Sequence, residues 1–246
     1  MIEIQRADQS GQLDLSEKGR SQDGQQISLD QRLYMQFMAF GAARETARYV
    51  EYLKNVDLPC VLYEDINDPY GIGLLTWSKD PEFFLTGIRP HMREVPLSEL
   101  QHKPEYTMLG RTYAIGYEND LEQVLISRPI QRVTDLSLKW VVWYPVRRSG
   151  AFERLGAEEQ RNILMEHGGI GRAYGRANLA YDIRLACYGL DKNDNDFVIG
   201  LLGGELHPLS VIVERMRKTT QTSQYLSNLG PFFVGTAVWQ YRGISE

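Results

Sequence analysis

Apolar residues follow two alternating rhythms along the chain, a two-residue period typical of half-buried strands and a three-to-four-residue period typical of helices. RLYMQFMAF, from Arg32, reads as a strand. GAARETARYVEYLKN reads as an amphipathic helix with Ala43, Ala47, Val50 and Leu53 on one stripe. PCVLYED and YGIGLLTWS are two strands around the turn residues NDPYG, and KDPEFFLTGIRPHM supplies a second short helix. The order strand-helix-strand-strand-helix predicts an antiparallel sheet with helices on one face.

The same order returns later. LKWVVWYPV is a strand, GAEEQRNILMEHGG a helix that ends at its glycines, and ANLAYDIRLACYGL and DFVIGLLGG two strands around the polar turn DKNDND. HPLSVIVERMRKT follows as a helix with Leu209, Ile212, Val213 and Met216 on one stripe, and PFFVGTAVWQYR closes as a strand. The prediction is an α+β fold of two tandem ferredoxin-like units. Residues 1–28, rich in Gln, Asp, Ser and Gly, are expected to be a flexible or loosely docked tail. The units are expected at 29–135 and 136–246, with the stretch from roughly 92 to 135 holding the last strand of the first unit and a connection.

Composition narrows the function classes. No apolar run approaches the ~20 residues of a spanning helix. The start, MIEIQRADQSGQLDLSEKG, lacks the basic-then-apolar order of a signal peptide, so a cytoplasmic location is expected. A net charge of -5 argues against general nucleic-acid binding. Positive charge is local, in Arg147-Arg148 and in Arg215, Arg217 and Lys218. Cys60 and Cys187 lie far apart without a CxxC motif, so neither a zinc site nor a disulfide framework is indicated, and both are expected to be buried thiols. DKNDND lacks the Gly and closing Glu of a calcium loop and reads as a hairpin turn.

Four histidines can be weighed singly. His91, His102 and His207 stand beside prolines or in loop-like segments and read as surface residues. His167 follows Leu164 and Ile163 on an apolar stripe and precedes Gly168-Gly169, so its side chain should point inward. By spacing alone, a core histidine bonded to a backbone carbonyl is the better reading. An inward imidazole at a helix end is also positioned to ligate an iron porphyrin lying between that helix and a sheet.

The surrounding residues bear on that choice. Tyr144-Pro145 followed by Arg147-Arg148, then a Glu- and Arg-rich helix, then His167-Gly168-Gly169-Ile170-Gly171-Arg172-Ala173-Tyr174, resembles the chlorite dismutase family, and its coproheme decarboxylase branch most of all. The likeness continues through Gly189-Leu190-Asp191, Val213-Glu214-Arg215-Met216-Arg217 and Gly230-Pro231-Phe232-Phe233-Val234-Gly235. The first half matches in element order and in patches such as Leu109-Gly110-Arg111-Thr112-Tyr113.

The resemblance implies a homo-oligomer, usually a pentamer, with His167 as the protein's ligand to iron. It implies that iron coproporphyrin is both cofactor and substrate, losing carbon dioxide from two propionates with hydrogen peroxide to leave haem b. Tyr144 matches the tyrosine that forms the reacting radical. Arg148 stands in place of a propionate-positioning lysine. Arg128, Arg217 and Thr222 fall near the family's propionate contacts. The distal residue falls on Ala180, Asp182 or Arg184, according to whether one counts from His167, Gly189 or Phe197. These three share a strand face, and all remain open. Val146 replaces a methionine of the pattern, and Ala151-Phe152-Glu153-Arg154 an Asn-Trp-Tyr segment. Two alternatives are carried: a chlorite dismutase with Arg184 as distal arginine, and a haem-binding carrier or sensor without turnover.

Overall fold

The computed structural model describes residues 13–243. A hairpin of β1 (Glu17–Arg20) and β2 (Gln26–Leu29) comes first. The N-terminal half then runs through β3 (Tyr34–Gly41), α1 (Thr46–Lys54), β4 (Cys60–Asp65), β5 (Ile72–Ser78), a π-turn at Phe84–Ile88 leading into α2 (Arg89–Met92), and β6 (Gln101–Arg111). A second π-turn, Gln123–Ser127, runs into α3 (Arg128–Thr134). The C-terminal half comprises β7 (Trp140–Arg148), α4 (Gly150–Glu153), α5 (Ala157–Arg176), β8 (Tyr181–Ala186), β9 (Phe197–Gly203), α6 (Leu206–Arg217), α7 (Thr220–Tyr225), β10 (Leu226–Leu229) and β11 (Phe233–Gln240).

The sheet pairs in the order β10-β7-β11-β4-β5-β3-β6-β8-β9, and β9 returns to β7, so all of these strands but β10 close into an antiparallel barrel. Numbering the strands of each half one to four, both halves show the ferredoxin-like order four-one-three-two. They are β6-β3-β5-β4 and β11-β7-β9-β8. The two tandem units expected from the periodicity are therefore joined edge to edge. Strand alternation sends Phe37, Tyr63, Trp143 and Phe233 into the barrel, where they pack with Met35, Leu75 and Leu202. The opposite parity faces the outer helices. In the C-terminal half Val142, Tyr144, Val146 and Phe197 meet Tyr174, Leu209 and Ile212 of α5 and α6.

Two expectations need correction. Part of the stretch read as a tail, Glu17–Leu29, is a docked hairpin: Glu17 accepts from Arg111 Nη1 at 2.9 Å and from the Ala114 amide at 2.9 Å. Residues 1–12 of that stretch lie outside the described residues. The helix that carries His167 is not short and does not end at Gly168-Gly169. It runs on to Arg176 and stops where Asn178 takes the left-handed conformation, φ 55°. Glycine lowers helix propensity by about 1 kcal/mol per residue, but packing of α5 against α6 and α7 holds these glycines helical. The last predicted strand forms as β11, and a short strand that the periodicity did not announce, β10, precedes it. β10 lies along Val146–Arg148 and β11 along Trp140–Trp143, with the Gly230 amide bonded to Pro145 O at 3.0 Å between them.

Candidate functional site

The joint between β10 and β11 shapes the first part of the site. Phe232, in that joint, stacks on Tyr144 with ring centroids 4.6 Å apart and an interplanar angle of 25°. Tyr144 is buried, and burial together with the negative charge of Asp182 raises its pKa, partly offset by Arg217; its phenol keeps its proton. In register, Tyr144 lies opposite Ile199 of β9 and Ile199 opposite Arg184 of β8. Directly opposed residues share a face, so Tyr144 and Arg184 look outward from one row, two strand spacings or roughly 10 Å apart. One row along, Asp182, Leu201 and Val142 do the same.

Helix α5 covers this face. His167 is half-buried, and its Nδ1 lies 3.1 Å from Thr219 Oγ1 at the end of α6. The Thr219 hydroxyl lies 2.7 Å from the Met216 carbonyl, to which it donates its single proton. Oγ1 is thus an acceptor toward the ring, Nδ1 carries the hydrogen, and Nε2 is left with a free lone pair. Burial first, then the positive charges of Arg148 and Arg184, push the His167 pKa down, opposed by Asp182 and Glu166. The ring is neutral.

Beyond His167 on the same helix ridge come Gly171 and Gly175, at the i+4 and i+8 positions. They floor a cavity of about 460 Å³ between α5, β8 and the 123–134 helical segment. Arg128, Arg132, Arg172, Arg176 and Arg184 line it, with Asp182 among them. Ala180 lies at its buried end, so all three distal candidates reach one cavity. Arg184 Nε is 3.0 Å from Asp182 Oδ2. Beside the cavity, the Arg148 guanidinium is held between Phe152 and Phe197, 4.6 Å from each ring centre, and its buried Nε has no partner among the described residues. Tyr113 packs on Phe197 at 5.8 Å.

The structure puts Tyr144 and Arg184 in one row of the sheet, brings the charges of Arg148 and Arg184 to bear on His167, places Arg128 in the cavity wall, and sets Thr222 Oγ1 3.4 Å from Thr219 Oγ1. Arg217 is exposed on α6, with its charge acting on Tyr144. Arg147 points elsewhere and caps the 187–196 loop through the Asp194 carbonyl at 2.7 Å. That loop is the hairpin connection expected, and no cluster able to hold a metal ion occurs among the described residues. Cys60 and Cys187 are buried and free. His102 and His207 are exposed, and His91 is half-buried against the Tyr52 hydroxyl at 2.8 Å. No described helix is long and apolar enough to cross a membrane. Thr219, Arg132 and Arg176 were not legible as site residues. The only available signal was the i, i+4 spacing of Arg128 with Arg132 and of Arg172 with Arg176.

An α+β barrel of two ferredoxin-like units, with an arginine-lined cavity between the outer helix and the sheet of its second unit, defines the class. The family model described as chlorite dismutase matches residues 88–238, more than half of the chain, and the protein belongs to the chlorite dismutase family. A heme-binding protein from Thermus thermophilus superposes with a TM-score of 0.64 at 17% identity, covering 84% of this chain and 91% of that one. Chlorite dismutase from Candidatus Nitrospira defluvii in complex with imidazole gives a TM-score of 0.65 at 14% identity, covering 85% and 92%. At such identities the likeness speaks for the fold.

Proposed function

We propose that the protein binds an iron porphyrin between α5 and the outer face of β7, β8 and β9, with His167 Nε2 as its ligand to iron, and that it carries out peroxide-dependent decarboxylation of iron coproporphyrin to haem b. The observation that carries this reading is the cavity that begins one turn beyond His167 on α5, lined by five arginines and a single carboxylate. Such an excess of guanidinium suits a ligand with four carboxylates better than one with two. Membership of the family supports the porphyrin itself.

The residues present fit that group. Nδ1–H is held by Thr219, so Nε2 is the free nitrogen. Gly171 and Gly175 keep side chains off the helix face that a flat ring would lie against. Arg148 offers an unpartnered buried donor. When bound, the iron porphyrin supplies the redox chemistry with peroxide. The chain's own residues orient and protect. Arg172 and Arg176, one turn apart on α5, bind one propionate and Arg128 a second, Phe152 and Phe197 hold Arg148 in place for a third, and Tyr144 keeps a protonated phenol within the apolar pocket. Among the described residues that hydroxyl makes no hydrogen bond, so it is free to give up a hydrogen atom to the oxidant and, as a phenoxyl radical, to take one from a propionate side chain, which then loses carbon dioxide and a second electron to become a vinyl group.

The test is to load the protein with iron coproporphyrin, titrate hydrogen peroxide, and follow the porphyrin mass. Stepwise loss of two carboxyl groups is expected, and an unchanged mass would refute the reaction. A second reading, chlorite cleavage to chloride and dioxygen, is favoured by the placement of Arg184 in the cavity. Oxygen release from chlorite by the haem b form, lost in Arg184→Ala, would select it. Stable porphyrin binding with neither turnover would leave the carrier or sensor.

A further inference from the structure

The single carboxylate in the arginine-lined cavity holds two of the five guanidinium groups. Asp182 Oδ2 lies 3.0 Å from Arg184 Nε, and Oδ1 lies 3.8 Å from Arg132 Nη1. Arg132 also donates to the Asp182 carbonyl and sits 5.2 Å over the Tyr181 ring. Arg128, Arg172 and Arg176 have no such internal partner among the described residues.

The pairing is exchangeable. The side chains of Asp182 and Arg184 are 41% and 49% exposed, and ion pairs of that exposure are weak, so a ligand carboxylate can replace Asp182 at little cost. Arg132 is the more tightly seated of the two, at 24% exposure, and is anchored to backbone as well as to the carboxylate. Asp182 projects from the same face of β8 as Arg184, in the row next to that of Tyr144.

We infer that Asp182 is a positioning and specificity-determining residue: it acts as an internal counter-ion that holds Arg184 and Arg132 in the free protein and yields Arg184 to a carboxylate of the incoming porphyrin. This rests on the porphyrin reading above and adds a rule of selection. A porphyrin with two carboxylates is satisfied by the unpaired arginines and leaves the latch closed. One with four must recruit Arg184 and displaces Asp182, so the latch weakens binding of the larger polyanion specifically, and its removal favours that ligand.

The full-length protein is titrated with two metal-free porphyrins, coproporphyrin III with four carboxylates and protoporphyrin IX with two, by fluorescence quenching. Wild type, Asp182→Asn and Asp182→Glu are compared at two salt concentrations. Asp182→Asn is expected to tighten coproporphyrin on the order of tenfold, with a steeper salt dependence, and to change protoporphyrin affinity less. Asp182→Glu should restore the wild-type ratio. In parallel, the Arg184 Nε–H signal is followed by NMR, expected to shift when coproporphyrin binds and to stay in place with protoporphyrin. Equal affinities in wild type and Asp182→Asn, or an Arg184 signal unmoved by bound coproporphyrin, would overturn the latch while leaving porphyrin binding intact. Failure of the wild type to bind either porphyrin would overturn the latch, and failure to bind their iron complexes as well would overturn both readings.

Discussion

Thr219 fixes which nitrogen of His167 is free. The two are 52 residues apart, yet Oγ1 lies 3.1 Å from Nδ1 while its own proton goes to the Met216 carbonyl, so the imidazole has one allowed tautomer. Outer partners of this kind typically contribute ten- to a hundredfold in ligand affinity. Replacing Thr219 by Val keeps the shape and removes the acceptor; iron porphyrin affinity is expected to fall by about that factor, with a broadened iron-imidazole spectrum. Thr219→Ser should retain both. If Val and Ser variants bound alike, the hydroxyl would have no part in orienting His167.

Tyr144 offers a cleaner separation of binding from chemistry. Its ring is stacked on Phe232 and buried, and Phe can occupy the same volume. Tyr144→Phe should therefore bind iron coproporphyrin as the wild type does, and lose peroxide-driven decarboxylation by at least about a hundredfold. Unimpaired product formation, read by mass, would remove Tyr144 from the reaction.

How far the sequence carries can be judged from these residues. The strand-helix order of both halves was legible because amphipathic periodicity is a local property, and barrel closure followed from two such units sharing edges. His167 and Tyr144 were legible through the residues next to them in the chain. Thr219 was not, because its role arises only where the end of α6 meets α5, and nothing near it marks that meeting. Gly168-Gly169 misled for the opposite reason: glycine is a local stop signal, and here packing overrode it. The arginine pairs at i, i+4 were visible, but that spacing on its own more often marks a solvated helix face. The 17–29 hairpin carries only the brief alternation of Ile27 and Leu29, too short to stand out from the polar residues around it.

That hairpin has a measurable role. Glu17 is 14% exposed and bridges Arg111 and the Ala114 amide, on either side of Thr112 and Tyr113 in the cavity wall. Glu17→Gln removes the charge and turns a donor toward a donor. A loss of about 1 kcal/mol is expected, reduced from that of a buried pair because Arg111 is 35% exposed. Denaturant midpoints would show it. An unchanged midpoint would mean the hairpin is held by its other contacts.

The barrel interior gives the sharpest stability test. A Cβ built on Gly200 would stand 2.5 Å from Trp143 Cη2, with other ring carbons of that fully buried side chain at 2.6 and 2.7 Å. Gly73, on the matching strand of the other half, meets Phe37 at 2.5 Å and Phe233 at 2.7 Å in the same way. The two glycines thus make room for the aromatic centre of the barrel, and neither ring can retreat in a packed core. Gly200→Ala is expected to cost roughly 1–3 kcal/mol, and a chain of this length loses about 2–4 °C in Tm per kcal/mol. Gly150→Ala, in α4 and with nothing within 4 Å of the added carbon, serves as the control and should keep Tm or raise it slightly. Equal melting of the two variants would show that Trp143 can move aside. Because Tyr144, the next residue on β7, faces the opposite side of the sheet, such movement would also be read as altered porphyrin binding in Gly200→Ala.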